Sequence, residues 1–484
     1  MELKTLTIMQ ALNLIKAGKL TSLELCKQCL SEIEKTKDFN ALHEVCKEQA
    51  LKKAKQIDED IKNGKAVGAL AGIPIVLKDN INYVGTKTTC SSKVLETYES
   101  VYNATVAQKL EDAGAIIIGK ANMDEFAMGG STQTCAWGAV KNPRNPKCVP
   151  GGSSGGSAAT VAANQCLGSL GTDTGGSIRQ PSSYCGVVGM KPTYGLVSRR
   201  GIVAFASSLD QAGPITKTVR DNALVLDAIA GYDELEFTSE KVEKQTYSDF
   251  ADLGSLKGVK VGLIKEFFEL QSSKDVQQSF EMAVDSFKKA GAEVVELSFP
   301  RIKAALSVYY VLSSAEAASN LARFDGIKYG VQASDATDLN DLYVKTRSRN
   351  FGAEVKRRIM LGNFVLSSGY FDAYYTRAKA VQNLIIGEFA DAFKKCDVII
   401  SPTTPKPAFK LGEKFESPVD MYLLDIFTVP VNIAMLPAIS IPCGVSSDNL
   451  PLGLQIIGPR FSEKKLFEVA NYFEKKCFAF EGGI

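Results

Sequence analysis

The feature that most limits the fold of this chain is a repeated switch between helical patterning and short apolar runs. GIPIVLKD (72–79), AIIIG (115–119), AEVVELS (292–298), DVIISP (397–402), PAISIPC (437–443) and GLQIIG (453–458) read as strands, most of them buried on both faces. Between them lie helical stretches. TVAQKLEDAG is closed by Gly114, and Val276, Phe280, Ala283, Val284 and Phe287 form a stripe that ends near Gly291. Val381, Leu384, Ile385 and Phe389 mark one face of a long helix before DVIISP. The alternation predicts an α/β protein with helices packed around a largely buried sheet. Residues 1–65 read as a helical N-terminal layer that is not an independent unit. Within it, Thr21 or Ser22 caps a helix carrying Leu23, Leu25, Cys26, Cys29 and Leu30. With no internal repeat or linker, and with the polar stretch 406–420 read as an excursion, residues 1–484 are expected to form one large domain.

Charge and composition remove several function classes. The formal net charge is +2, from 56 basic and 54 acidic residues, so the basic surplus of a protein that grips nucleic acid by itself is missing. No apolar run approaches a membrane span and the N-terminus lacks a signal-peptide pattern, which leads to the expectation of a cytoplasmic protein without membrane contact. Eleven cysteines without framework spacing suit reduced thiols, and the Cys26–Cys29 pair sits inside a helical pattern with no second pair to complete a metal site. One histidine, His43, lies among helix-like residues. Its isolation weighs against Ser-His-Asp hydrolysis, Cys-His amidotransfer and most zinc chemistry, and no metal site is expected.

Three glycine-bearing segments could carry chemistry. GAIIIGKA (114–121) approximates a P-loop, but Ala121 replaces the magnesium-holding hydroxyl and the intervening residues are themselves a strand, so it is read as core. PGGSSGGSAATVAA (150–163) is open to three readings: an anion cradle at a helix start, a solvated turn, or a backbone that presents serines in unusual conformations. LGSLGTDTGGSIRQPSSYCG (167–186) reads as a strand, a turn and a helix. Ser177 then stands like a nucleophile at a strand-to-helix elbow, with the N–H groups of Thr174, Gly175, Gly176 and Ser177 available to an oxyanion. A phosphate-binding turn remains the alternative on local inspection.

The ordered set GIPIVLKD, PGGSSGGSAA and GTDTGGSIRQPSSYCGVVGMKPTYG resembles the amidase signature family, and the likeness continues to GLQIIGPRF. The resemblance implies a central, twisted, mixed sheet and a Ser-cisSer-Lys triad at Ser177, Ser153 and Lys78. SSAEAASNLARFDGIKYG (313–330), EVKRRIMLGNFVLSSGYFDAYY (354–375) and MYLLDIFTVPVNIAMLPAISIP (421–442) resemble in particular the glutaminase subunits of tRNA-dependent amidotransferases. That branch implies a glutamine site at Tyr309, Arg358 and Asp425, with Tyr310 and Arg357 as immediate neighbours of two of them. It further implies no cofactor in this chain, a tRNA-binding B subunit that uses ATP and magnesium, and a small C subunit. Ammonia would be supplied for Glu-tRNA(Gln), with Asp-tRNA(Asn) as a second acceptor. A stand-alone amidase for other small amides and a non-catalytic scaffold subunit are the rival expectations.

A serine needs a base, and without a histidine that base is Lys78 in its neutral form. A free lysine titrates near ~10.4 and burial lowers that by up to about 3–5 units. The run Ile73, Ile75, Val76 and Leu77 is the sequence feature that would supply such burial.

Overall fold

The structure, a computed structural model, describes residues 2–243 and 245–477. Eleven strands form one mixed sheet: β1 Leu42–Val45, β2 Pro74–Lys78, β3 Ile116–Ala121, β4 Gly168–Asp173, β5 Val188–Lys191, β6 Gln211–Thr216, β7 Lys260–Ile264, β8 Glu293–Leu297, β9 Val398–Pro402, β10 Ala438–Val445 and β11 Pro451–Ile457. Their order is β1-β3-β2-β4-β6-β5-β10-β11-β9-β7-β8. Parallel pairs (β2 with β3 and β4, β7 with β8 and β9) lie toward the two ends, and antiparallel pairs join them through the middle. Helices cover both faces. Along β9, Val398 and Ile400 enter one apolar cluster and Ile399 the other, as the two-residue period of a strand requires.

The N-terminal layer consists of α1 Ile8–Lys16, α2 Ser22–Lys35 and α3 Lys47–Lys62. Thr21 caps α2 with a complete capping box: its hydroxyl accepts the Glu24 N–H and Glu24 returns to the Thr21 N–H. The expectation that this layer is wholly helical needs one correction. Residues 42–45 form β1, an edge strand antiparallel to β3, and His43 belongs to that strand, stacked on Trp137 at 5.1 Å. Four residues flanked by helix-forming sequence carry no readable period, and pairing with β3 decides their conformation. β5, β6 and β7 also escape the apolar-run criterion; β6 carries Gly213 and Pro214 in mid-strand. Among the described residues, no helix is long and apolar enough to cross a membrane.

Candidate active site

The site assembles where β2 and β4 end side by side. Ile75, Val76 and Leu77 are fully buried, and they carry Lys78 into the protein with none of its surface exposed. β2 and β4 run parallel, which sets Lys78 beside Thr172. Lys78 Nζ lies 2.9 Å from Thr172 Oγ1, 3.3 Å from the Thr172 carbonyl oxygen and 2.8 Å from Ser153 Oγ. Burial pushes the amine down to about 7, although the charges of Asp124, Asp173 and Asp210 pull the other way. A neutral amine has two N–H donors and one lone pair. With both donors directed at Thr172, the lone pair is left to accept the Ser153 hydroxyl proton. Asn80 Nδ2 donates to the same Thr172 hydroxyl at 3.0 Å and steadies it.

Ser153 follows a cis peptide bond from Gly152. The Gly152 N–H donates to Gln180 Oε1 (2.8 Å), and the Asp124 N–H donates to the Ser153 carbonyl (3.2 Å). A side chain at 152 has no room, because a Cβ there would stand 1.9 Å from Asp124 Oδ2.

Ser177 sits in the turn between β4 and the helix Arg179–Cys185. Asp173, the last residue of β4, shapes that turn. Its carboxylate accepts the N–H groups of Gly176 (2.8 Å) and Ile178 (3.1 Å), two bonds from Arg179 at 3.0 Å each, and Asn432 Nδ2 at 2.9 Å. Burial by itself raises the Asp173 pKa, but the Arg179 charge and the converging donors outweigh it and hold the carboxyl well below the usual range. Gly176 has φ +132°, and a Cβ there would lie 2.2 Å from Thr428 Oγ1, so glycine is required on two counts. The expectation for the oxyanion donors changes accordingly. The Gly176 N–H is committed to Asp173, whereas those of Thr174, Gly175 and Ser177 have no acceptor among the described residues.

The Ser154 N–H donates to the Ser177 carbonyl at 3.1 Å, which holds the two serine-bearing backbones together. The Ser177 hydroxyl makes no hydrogen bond among the described residues. The Lys78–Ser153 link is therefore formed, and the Ser153–Ser177 link is not made in this rotamer of Ser177.

Ser177 opens into a cleft of about 310 Å³ lined also by Tyr309, Tyr310, Glu354, Arg358 and Asp425. The tyrosines project from the helix Ala305–Asn320, and Glu354 and Arg358 from the helix Ala353–Leu366. Tyr309 packs on the turn that bears Ser177, where a Cβ on Gly175 would meet its ring at 2.7 Å. The structure distinguishes the neighbouring pairs. Arg358 is buried in the cleft while Arg357 is exposed at its rim; Tyr309 is buried, and Tyr310 stacks on Tyr422 at 3.9 Å. Asp425 accepts no hydrogen bond through its carboxylate among the described residues. Burial, then the charge of Asp173, raises its pKa to about 8, with Arg358 opposing. One cleft thus holds a nucleophile candidate, a guanidinium and an unpaired carboxyl. Among the described residues, no group of His, Cys, Asp or Glu side chains is arranged to hold a metal.

Residues 24–467 match the Amidase family. The chain belongs to the amidase family. This amidase is 53% identical over 476 residues to the A subunit of glutamyl-tRNA(Gln) amidotransferase from Caldanaerobacter subterraneus subsp. tengcongensis, a match covering 98% of this chain and 97% of that one. It is 54% identical over 452 residues to the protein of the same description from Bacillus velezensis, covering 93% and 92%. Among solved structures, the corresponding glutamyl-tRNA(Gln) amidotransferase protein from Thermotoga maritima aligns with a TM-score of 0.81 at 41% identity, covering 98% of this chain and 96% of that chain. The peptide amidase of Stenotrophomonas maltophilia aligns with a TM-score of 0.83 at 30% identity, covering 97% and 96%.

Several residues of the amidase site had no place in the sequence reading: Thr172 and Asn80 beside Lys78, Asp173 beneath the turn, and Glu354 and Tyr422 around Arg358. Two left a signal. Asp173 precedes Gly176 by three residues, the spacing of a side-chain cap on a backbone N–H, and Glu354 precedes Arg358 by one helical turn, the spacing of an ion pair.

Proposed function

We propose that this amidase is the glutamine-hydrolysing, ammonia-producing subunit of a tRNA-dependent amidotransferase. The observation that carries the reading is the cleft itself, in which the Ser177 hydroxyl shares one space with the Arg358 guanidinium and the Asp425 carboxyl. A free amino acid presents a carboxylate and an ammonium group to such a pair, and a peptide or simple amide lacks one or both. Similarity to amidotransferase A subunits at more than 50% identity supports the same choice.

In this mechanism the Ser177 oxygen forms a bond to the side-chain amide carbon of glutamine. The Ser177 proton passes to the Ser153 oxygen while the Ser153 proton passes to the Lys78 lone pair. The carbonyl electron pair moves onto oxygen and is received by the uncommitted N–H groups of Gly175, Thr174 or Ser177. Collapse of the tetrahedral species breaks the C–N bond, and the relay returns a proton to the nitrogen, which leaves as ammonia. Water then attacks the γ-glutamyl ester through the same relay and releases glutamate. Lys78, Ser153 and Ser177 are the catalytic residues of this scheme, and Tyr309, Arg358 and Asp425 hold the substrate. Ammonia passes to a B subunit, where ATP and magnesium activate Glu-tRNA(Gln), with Asp-tRNA(Asn) as a further acceptor; a small C subunit completes the assembly. The near-neutral charge of this chain fits a division of labour in which the partner grips the RNA.

The test is ammonia release from glutamine by the purified chain, alone and with its co-purifying partners, ATP and charged tRNA. Preference for glutamine, and transfer of its nitrogen to aminoacyl-tRNA in the assembly, supports the reading. Preference for apolar amides supports a stand-alone amidase. Asp425→Asn is expected to raise KM for glutamine about 10- to 100-fold, the value of one charge-assisted contact, with kcat much less affected. The sign of its pH dependence follows from the raised pKa. Below about 8 the carboxyl of the empty site holds a proton that an incoming ammonium must displace. KM for glutamine in the wild type therefore rises as pH falls below that value, and in Asp425→Asn this dependence disappears.

A further inference from the structure

Arg358 is the most constrained cation of the cleft, and its constraint comes from a residue outside the substrate set. Its Nε donates to Glu354 Oε1 at 2.7 Å. The guanidinium carbon lies 4.4 Å from the Tyr310 ring centroid and 4.9 Å from that of Tyr422, within cation–π range of both. Nη1 is buried and has no hydrogen-bond partner among the described residues. A buried N–H left without an acceptor is costly, and a guanidinium stays charged at any pH of interest, so the arrangement is complete only when an anion arrives.

Glu354 already serves protein donors through both of its oxygens, and it leaves Nη1 without a partner. Oε1 accepts from Arg358 Nε and from the Tyr422 hydroxyl at 2.8 Å, and Oε2 accepts from Arg357 Nη1. Tyr422 belongs to the short helix Pro418–Tyr422 that closes the 406–420 excursion, so the same carboxylate ties that segment to the helix Ala353–Leu366.

We propose that Glu354 is a positioning residue for substrate selection: by holding Arg358 at Nε and Tyr422 at its hydroxyl, it fixes the guanidinium plane so that Nη1 faces the α-carboxylate of the substrate. The role is geometric. A planar fork pinned at one nitrogen presents its remaining donors in one direction only, which suits two-point recognition of a carboxylate. The inference rests on the glutamine reading given above.

The test is a shortening that keeps the charge. Glu354→Asp withdraws the carboxylate by ~1.5 Å, beyond hydrogen-bond reach of Nε and of the tyrosine hydroxyl. The assembled enzyme is assayed with L-glutamine and with 4-aminobutanamide, which is glutamine without its α-carboxyl group. The ratio of the two kcat/KM values is expected to fall about tenfold or more, through KM for glutamine alone, with kcat for glutamine within about threefold of wild type. Tyr422→Phe moves the ratio in the same direction and by less. The rate at which phenylmethanesulfonyl fluoride inactivates Ser177 stays at the wild-type value in both variants. An unchanged ratio overturns the proposal, and so does an equal loss on both substrates accompanied by slower sulfonylation, which is the signature of a merely structural residue. A wild-type assembly inert toward glutamine overturns the functional reading itself and removes the α-carboxylate role with it.

Discussion

Replacing Ser177 by alanine is expected to lower ammonia release from glutamine by about 10⁴-fold or more, while leaving the chain folded and assembled. Two features make this a clean deletion. The Ser177 hydroxyl makes no hydrogen bond among the described residues, so its removal leaves no buried partner unsatisfied, and stability should stay within about ±0.5 kcal/mol of wild type. Arg358 and Asp425, which the proposed function assigns to glutamine, are carried on other segments, so binding of glutamine should survive and is measurable by calorimetry on the variant. Loss of turnover with retained binding separates catalysis from scaffolding. Ammonia release that persists at the wild-type rate would show that another group is the nucleophile, or that this chain serves its assembly without hydrolysing anything.

The second large effect concerns the support beneath Ser177. Asp173→Asn is expected to cost about 3–5 kcal/mol, because it leaves Arg179 buried without its counter-charge. The amide also has one acceptor oxygen where the carboxylate had two, so it cannot receive Gly176, Ile178, Arg179 and Asn432 together. The loss is read as an earlier unfolding midpoint in urea. Sulfonylation of Ser177 should fall with it even under conditions where the variant is folded, since the turn 174–178 loses the acceptor that fixes it. A variant with unaltered midpoint and unaltered Ser177 reactivity would mean that the turn is held by its flanking strand and helix and that Asp173 is dispensable.

These two residues also mark how far the sequence could be read. The positions of β2, β3, β9, β10 and β11 follow from apolar runs, because strands covered on both faces must be apolar throughout. β1, β5, β6 and β7 do not announce themselves in that way. LHEV is too short to show a period, and QAGPIT interrupts its own pattern with glycine and proline, so tertiary pairing decides both. Strand order was likewise out of reach, since the antiparallel centre of the sheet joins segments more than 200 residues apart, such as β5 and β10.

At the site, the apolar run pointed to a buried strand ending at Lys78 and the glycines to an elbow at Ser177, whereas the triad of Lys78, Ser153 and Ser177 came from the resemblance to the amidase signature family. The narrower resemblance to the glutaminase subunits of tRNA-dependent amidotransferases supplied Tyr309, Arg358 and Asp425, which the cleft brings into one space. What stayed hidden was the use of each polar group. Asp173 takes the Gly176 N–H that looked free for an oxyanion, and Glu354 takes Arg358 Nε. Hydrogen-bond assignments of this kind depend on which groups compete at close range, and spacing along a chain does not rank competitors.

Catalysis by this relay depends on Lys78 being an uncharged amine at working pH. Desolvation lowers its pKa to about 7 against ~10.4 for a free lysine, so the unfolded chain binds the extra proton between those values. Stability should accordingly rise with pH from about 7 toward 10, and the buried ammonium opposes folding below that window. The most direct test uses a reagent that needs the base but neither Arg358 nor Asp425: the rate of Ser177 sulfonylation by phenylmethanesulfonyl fluoride, measured from pH ~5 to ~10 and corrected for hydrolysis of the reagent. The rate is predicted to climb through an apparent pKa of about 7 and to be level by about pH 9. A rate still climbing at about pH 10, as an ordinary lysine would give, or one that is flat across the range, would contradict a neutral Lys78 as the base.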